Sequence, residues 1–232
     1  MRRSKNESNW ISLADMMTGL MVIFMFIAIN YILQIIEYKF VENDIYNALL
    51  EEFKKEIESE ELDLSPDGTV TFNPENKILF NTGSSRLTRD FNDILDDFIP
   101  RYIETLSNFE NIDYVKEIRI EGHTDNDPPK SGEDSYKYNL NLSSNRAQNV
   151  LDKLRNSNAY LTLPDSMKDR LEFLFTANGM SYSRALNKSS EIIYASSDKE
   201  IDKNLSRRVE FRVITSSDKL AEEIYSKRDS IK

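Results

Sequence analysis

The sequence contains no cysteine, so neither a disulfide scaffold nor a thiolate metal site can form. Its single histidine rules out zinc chemistry built on several imidazoles. Positive charge is scarce: 30 Lys and Arg stand against 40 Asp and Glu, a net charge of -10. Nucleic acid is a poor partner for such a chain, because phosphate binding needs a basic surface that releases counterions. Catalytic constellations are missing as well. His123 has no second histidine beside it, no Ser occupies a nucleophile elbow, and no carboxylates form an obvious glycosidase pair. His123 is expected to be a structural residue that hydrogen-bonds its loop, and no enzyme activity, metal or cofactor is expected.

What is present is distributed unevenly. The 232 residues hold one ordinary domain with room for appendages, and 39% hydrophobic with 30% charged residues is normal for a folded chain. Yet no formal charge occurs from Met16 to Ile36, whereas Glu, Asp and Lys crowd the sequence beyond Glu37. At about 1.5 Å per residue this run covers roughly 30 Å, the thickness of a bilayer core. A cleaved signal peptide has a shorter apolar core and a small-residue cleavage site, which Asn30-Tyr31-Ile32-Leu33 does not offer. Arg2, Arg3 and Lys5 precede the span, and Glu37, Glu42 and Asp44 follow it. Basic flanks stay in the cytoplasm, so the amino terminus is expected inside and the rest of the chain outside, in the periplasm. Trp10 and Tyr38 stand where interfacial anchors belong.

Asp15 lies at the cytoplasmic edge of the span. A carboxylate in or near hydrocarbon costs a few kcal/mol, so it normally faces protein or a water-filled path. Thr18 at i+3 and Gly19 at i+4 share its helical face, a small polar patch on which another helix can settle. Leaving water favours the neutral acid, which suits a group that loads and releases a proton. Asp is also a good N-cap, and local chemistry alone fits capping and ion transfer about equally.

Beyond the span, Val41, Ile45, Leu49, Phe53 and Ile57 recur at four-residue steps among charges, which predicts an amphipathic helix over 38–61. Three roles are open for it: self-association of two copies, a plug on the membrane surface, or packing against its own domain. Leu62 to Gly68, with Pro66 and Asp67-Gly68, reads as a turn. Strands are then predicted at Val70–Phe72, Val115–Gly122, Leu171–Ala177 and Val209–Val213, the second by alternation of Ile118 and Ile120 with charged neighbours. Helices are predicted from Leu87 to Tyr102, bent at Pro100, and from Leu142 to Leu154, with a surface helix over Asp218–Arg228. The class is α+β with a mixed sheet.

Two sets of residues resemble known families. Trp10-Ile-Ser-Leu-Ala-Asp15-Met-Met-Thr18-Gly-Leu-Met-Val-Ile-Phe resembles the signature of MotB-type stator subunits. In its apolar stretch it is closer to the ZorB branch of Zorya anti-phage systems than to flagellar MotB. Glu121-Gly-His123-Thr124-Asp125, Asn139-Leu-Asn-Leu142-Ser143-Ser-Asn-Arg146-Ala147 and Asn204-Leu-Ser-Arg207-Arg208-Val209-Glu210 are together similar to OmpA-like peptidoglycan-binding domains, with Phe80 and Gly83 also fitting.

These resemblances imply an inner-membrane B subunit, dimeric, inside several copies of a multi-span subunit of the MotA or ZorA kind. Asp15 would be the ion-binding carboxylate, with Thr18 beside it, for a proton or sodium. They imply a βαβαββ domain over 68–216, after a cytoplasmic terminus at 1–15, a membrane helix at 16–36 and a connector at 37–67, and before a tail at 217–232. Asp125 and Arg146 would grip a peptidoglycan stem peptide, with Thr124 and Asn139 contributing. Diaminopimelate presents an ammonium and a carboxylate, which suit an anion and a planar cation on adjacent elements. A plain salt bridge between Asp125 and Arg146 is the alternative. Asp127 to Tyr138 is expected as a long loop. Arg207 and Arg208 either contact the ligand or brace the sheet, and bracing is the reading favoured. Flagellar MotB and a passive wall tether without ion flux are the rival functions.

Overall fold

The computed structural model describes residues 5–72, 78–109, 112–130 and 132–215. The tail expected over Asp218–Arg228 and the basic pair Arg2 and Arg3 lie outside the described residues. The chain divides into two compact units, one ending at Phe40 and one beginning at Val41. Helix α1 (Lys5–Glu52) contributes to both. Within it Leu13–Leu33, 21 residues, is long and apolar enough to cross a membrane. Two polar side chains of this stretch turn back on their own helix: Thr18 Oγ1 donates to the Ala14 carbonyl at 2.8 Å, and Asn30 Nδ2 to the Phe26 carbonyl at 3.0 Å. In hydrocarbon that is how such groups avoid stranding a donor.

In the second unit, Val41, Ile45, Leu49 and Phe53 are buried in the hydrophobic core. Their four-residue spacing puts them on one helical face, which explains why the connector packs against its own domain. Arg101 fastens the end of this face. Its guanidinium meets Glu52 and Glu56 at 2.6 Å and Asp97 at 2.9 Å, and stands 4.7 Å over the Phe53 ring. Helix α2 (Lys54–Glu58) follows.

The sheet is mixed, in the order β1-β2-β5-β3-β4. Strand β1 (Leu62–Leu64) forms an antiparallel hairpin with β2 (Val70–Phe72), where a turn alone was expected over Leu62–Gly68. The turn is real but shorter, and Leu62 is buried on the core side. Helix α3 (Arg89–Ser107) continues through Pro100, which is exposed, so water can satisfy the carbonyl its ring leaves without a donor. Strand β3 (Val115–Gly122) pairs antiparallel with β5 (Val209–Thr215) and parallel with β4 (Phe175–Gly179). Helix α4 (Ser135–Arg155) crosses between β3 and the short helix α5 (Asn158–Leu161), with α6 (Asp165–Leu174) next.

The strand expected over Leu171–Ala177 is thus divided, helical to Leu174 and extended from Phe175. Leu171 and Leu174 are buried while Phe173 is 87% exposed, so the three-residue period wins over alternation. Pro164 at the N-cap and Asp165 in the first turn fix where that helix begins.

Two paired glycines set the distance between α4 and the sheet. Gly122 and Gly179 face each other across β3 and β4. A methyl group at Gly122 would overlap the Ser143 carbonyl, and one at Gly179 the Ser144 hydroxyl. Their bare backbone therefore lets α4 sit directly on the strand ends.

Candidate functional site

The end of β3, the middle of α4 and the approach to β5 meet around a cavity of about 790 Å³. Thr124, Asp125, Asn139 and Arg146 all line it, as do Arg207 and Phe80. Helix α4 begins at Ser135, capped by Asp134 accepting from the Lys137 amide at 2.8 Å. The loop after Asp127 therefore ends at Asp134 rather than Tyr138, and Arg146 stands in mid-helix rather than in its first turns.

Arg146 is buried, and its guanidinium is held by backbone oxygen. Nε donates to the Ser84 carbonyl at 3.0 Å and Nη2 reaches the Asn81 carbonyl at 3.5 Å. Phe80 supports it from one side, with the guanidinium carbon 4.8 Å from the ring centroid. Gly83, at φ +68, makes the turn that presents those carbonyls. Among the described residues Arg146 has no ion pair, and the plain Asp125–Arg146 salt bridge is not formed. Burial, then repulsion from Arg207, lowers the Arg146 pKa to about 10. The side chain stays charged near neutrality, a desolvated cation that feels Asp125 across the cavity but, among the described residues, has no carboxylate in direct contact.

Asp125 is equally buried, and it is engaged by others. Its Oδ1 accepts from the Asp127 amide at 2.8 Å, and its Oδ2 accepts from Arg207 Nε. Arg207 Nη2 also reaches Asp127 Oδ2 at 2.8 Å, and Lys203, on α7 (Lys203–Ser206), binds Asp127 Oδ1 at 2.6 Å. Lys203, and then Arg207, hold the Asp127 carboxyl below its usual range. Asn139 Nδ2 donates to the Asp127 carbonyl at 2.9 Å and to the Ser135 carbonyl at 3.0 Å, so it fixes the loop as well as lining the cavity. Thr124 donates its amide to the Ser181 carbonyl at 3.0 Å, while its buried hydroxyl has no partner.

The two neighbouring arginines have separate tasks. Arg208 braces as expected, with Nε on Glu210 Oε1 at 2.6 Å. Arg207 instead faces the cavity, a correction to the expectation that it braces the sheet. Arg207 is the C-cap of α7, whereas Arg208 leads directly into β5, so the two side chains leave the chain from different elements.

His123 departs from expectation too. Neither ring nitrogen forms a hydrogen bond to the loop; Nε2 lies 3.5 Å from Glu121 Oε2 and 3.4 Å from Glu210 Oε2. Its backbone amide donates to the Arg208 carbonyl at 3.0 Å, so it joins β3 to the approach of β5. Burial would raise the Glu210 carboxyl, but His123 and Arg208 outweigh it and hold that carboxyl far below the ordinary range. The three donor groups lie within 4.8 Å of one another, close enough for a metal ion. Arg119 and Arg208 already balance both carboxylates, so a divalent ion would add two uncompensated charges to a buried place. The cluster is an ionic brace under the site.

Asp15 and Thr18 belong to the other unit, on the exposed surface of α1. A side chain at Gly19 would meet nothing within 4 Å, so the face they share is open.

The profile of the OmpA family matches residues 79–192, which contain Asp125, Asn139 and Arg146. The Zorya protein ZorB of Escherichia coli (Crooks strain) is 31% identical over 230 residues, 94% of this chain and 92% of that protein. A second Zorya protein ZorB, from another Escherichia coli strain, is 28% identical over 216 residues, 88% of this chain and 79% of its own. The crystal structure of a MotB-like protein from Desulfovibrio vulgaris superposes with a TM-score of 0.51 at 20% identity, covering 79% of this chain and 96% of that one, a likeness of fold.

Proposed function

This chain belongs to the ZorB family, and from that premise we propose that it is the stator B-type subunit of a Zorya anti-phage motor, moving protons at Asp15 and holding peptidoglycan at Asp125 and Arg146. The observation that carries the wall-binding half is Arg146: a buried guanidinium that, among the described residues, has no carboxylate in direct contact, opening on a cavity of about 790 Å³. An uncompensated buried cation is costly, and a ligand carboxylate removes that cost. Asp125, at the same cavity, accepts the ligand's ammonium. Thr124 supplies a buried hydroxyl without a partner, and Asn139 holds the loop that shapes the rim. A diaminopimelate end in a peptidoglycan stem carries both charges at one carbon.

The motor half rests on Asp15, a carboxyl within a 21-residue apolar stretch, with Thr18 on the same face. An acid in such a place takes up a proton from one side and releases it to the other when a partner subunit alternates its access. Among the described residues there is one candidate span, and a partner subunit would supply the remaining walls of the path. Two copies of this chain inside a ring of multi-span subunits, amino termini in the cytoplasm and OmpA-like domains in the periplasm, would give the ring a fixed reference. The chain's work is ion movement and anchoring rather than covalent chemistry.

Two substitutions separate the halves. Asp15→Asn keeps the shape and removes titration: phage protection should be lost while co-sedimentation with purified sacculi is unchanged. Protection that survives leaves only a passive tether. Arg146→Ala should abolish co-sedimentation, and a wild-type chain that stays in the supernatant overturns the wall-binding half.

A further inference from the structure

The proposed ammonium acceptor is already occupied. Arg207 Nε rests on Asp125 Oδ2, and Arg207 Nη2 is tied at 2.8 Å to Asp127, which Lys203 holds in turn at 2.6 Å. Arg207 is about a third exposed and lines the same cavity as Arg146, close enough for each guanidinium to repel the other. Resting on the wall-binding reading of this cavity, we infer that Arg207 is a specificity-determining residue: it makes the site require a ligand end that carries a free carboxylate together with its ammonium.

Binding at Asp125 is a charge exchange. A ligand ammonium that seats on Asp125 must displace Arg207 from Oδ2 or share the carboxylate with it. A bare ammonium, as on a lysine side chain, displaces one cation with another and brings no anion. It leaves Arg207, still tied to Asp127, crowded beside Arg146 in one cavity with no new anion between them. A zwitterionic end brings its own carboxylate into the gap between the two guanidiniums as its ammonium takes Asp125. Every charge then keeps a partner, and an arginine fork suits a carboxylate in two-point contact. Amidation of that carboxylate removes the anion but hardly alters the shape, and the discrimination falls on the two arginines together. Asp127 acts through Arg207: by holding Nη2 it keeps the guanidinium at the cavity wall, which makes it a positioning residue rather than a contact.

The test uses the full chain in detergent and three soluble muropeptides: one with free diaminopimelate, one with its side-chain carboxylate amidated, and one with lysine in that place. Binding is followed by calorimetry. The wild-type chain should favour the free acid over both others by about ten-fold or more, the scale of one charge-assisted contact. Arg207→Gln should narrow that ratio by improving the lysine form and weakening the free acid, whereas Arg146→Ala should abolish the tight binding of the free acid and with it the preference. Arg207→Lys retains charge without the fork and controls for misfolding; it should restore the melting temperature but only part of the ratio. An Arg207→Gln chain that folds and keeps the wild-type ratio overturns the inference and leaves the wall-binding reading standing. A wild-type chain that binds none of the three overturns both.

Discussion

At the scale of single residues, the site is a set of charges whose partners are unevenly shared. Asp125, Asp127, Lys203 and Arg207 satisfy one another, while Arg146 is left to backbone carbonyls and an aromatic ring. Beneath them Glu210 sits between Arg208 and His123, with its carboxyl held well below the ordinary range. A depressed carboxyl stabilises the fold fully above its unfolded pKa of about 4.3, and that contribution is lost as pH falls through this value toward the folded one. Melting of the wild-type chain should therefore drop steeply below about pH 4.3. Glu210→Gln should cost about 3 kcal/mol at pH 7, because it strands Arg208, and should flatten the acid limb of the curve. An unchanged limb would show that Glu210 does not supply it. Asp125 and Arg146 were legible in the sequence through the motifs that contain them. Arg207 and Asp127 were not, because their roles come from two distant stretches meeting, and no local pattern records that meeting.

At the scale of elements, legibility followed periodicity. Strands β3 and β5 alternate over Ile118–Ile120 and Val209–Val213, and α3 and α4 carry long three-to-four-residue repeats, so all four were apparent in the sequence. The α6–β4 boundary was hidden because Leu171, Phe173 and Phe175 also fit alternation, and only burial separates Phe173 from the others. Strand β1 is three residues long, too short for any period to register. Gly122 was legible as a motif letter and Gly179 was not, and the close approach of α4 that requires both was hidden. Gly122→Ala places a methyl group against the Ser143 carbonyl, a backbone atom that cannot swing away. The expected loss is about 2 kcal/mol or more, measurable by urea denaturation, and α4 must lift off the strand to relieve it. Full stability in that variant would mean that the contact is looser than the structure gives.

At the scale of the whole molecule, the connector is the least expected part. Val41, Ile45, Leu49 and Phe53 are core residues of the second unit, yet they lie upstream of residues 79–192, the match to the OmpA family. Burying four such side chains is worth on the order of 6–12 kcal/mol, comparable to the whole stability of a domain. A fragment starting at Val41 should fold cooperatively, and one starting at Gly68 should give no sharp thermal transition. A well-folded shorter fragment would make the connector an accessory. The molecule also sets two opposed fields. Its overall charge of -10 repels an approaching anion across several ångströms of water, while Arg146 attracts one only after it has entered. Dissolved salt weakens the first far more than the second, since ions screen exposed charges and hardly reach buried ones. A more saline medium outside the cell should thus let wall fragments arrive sooner without making them leave sooner, a foothold that tightens when most electrostatic attachments slacken.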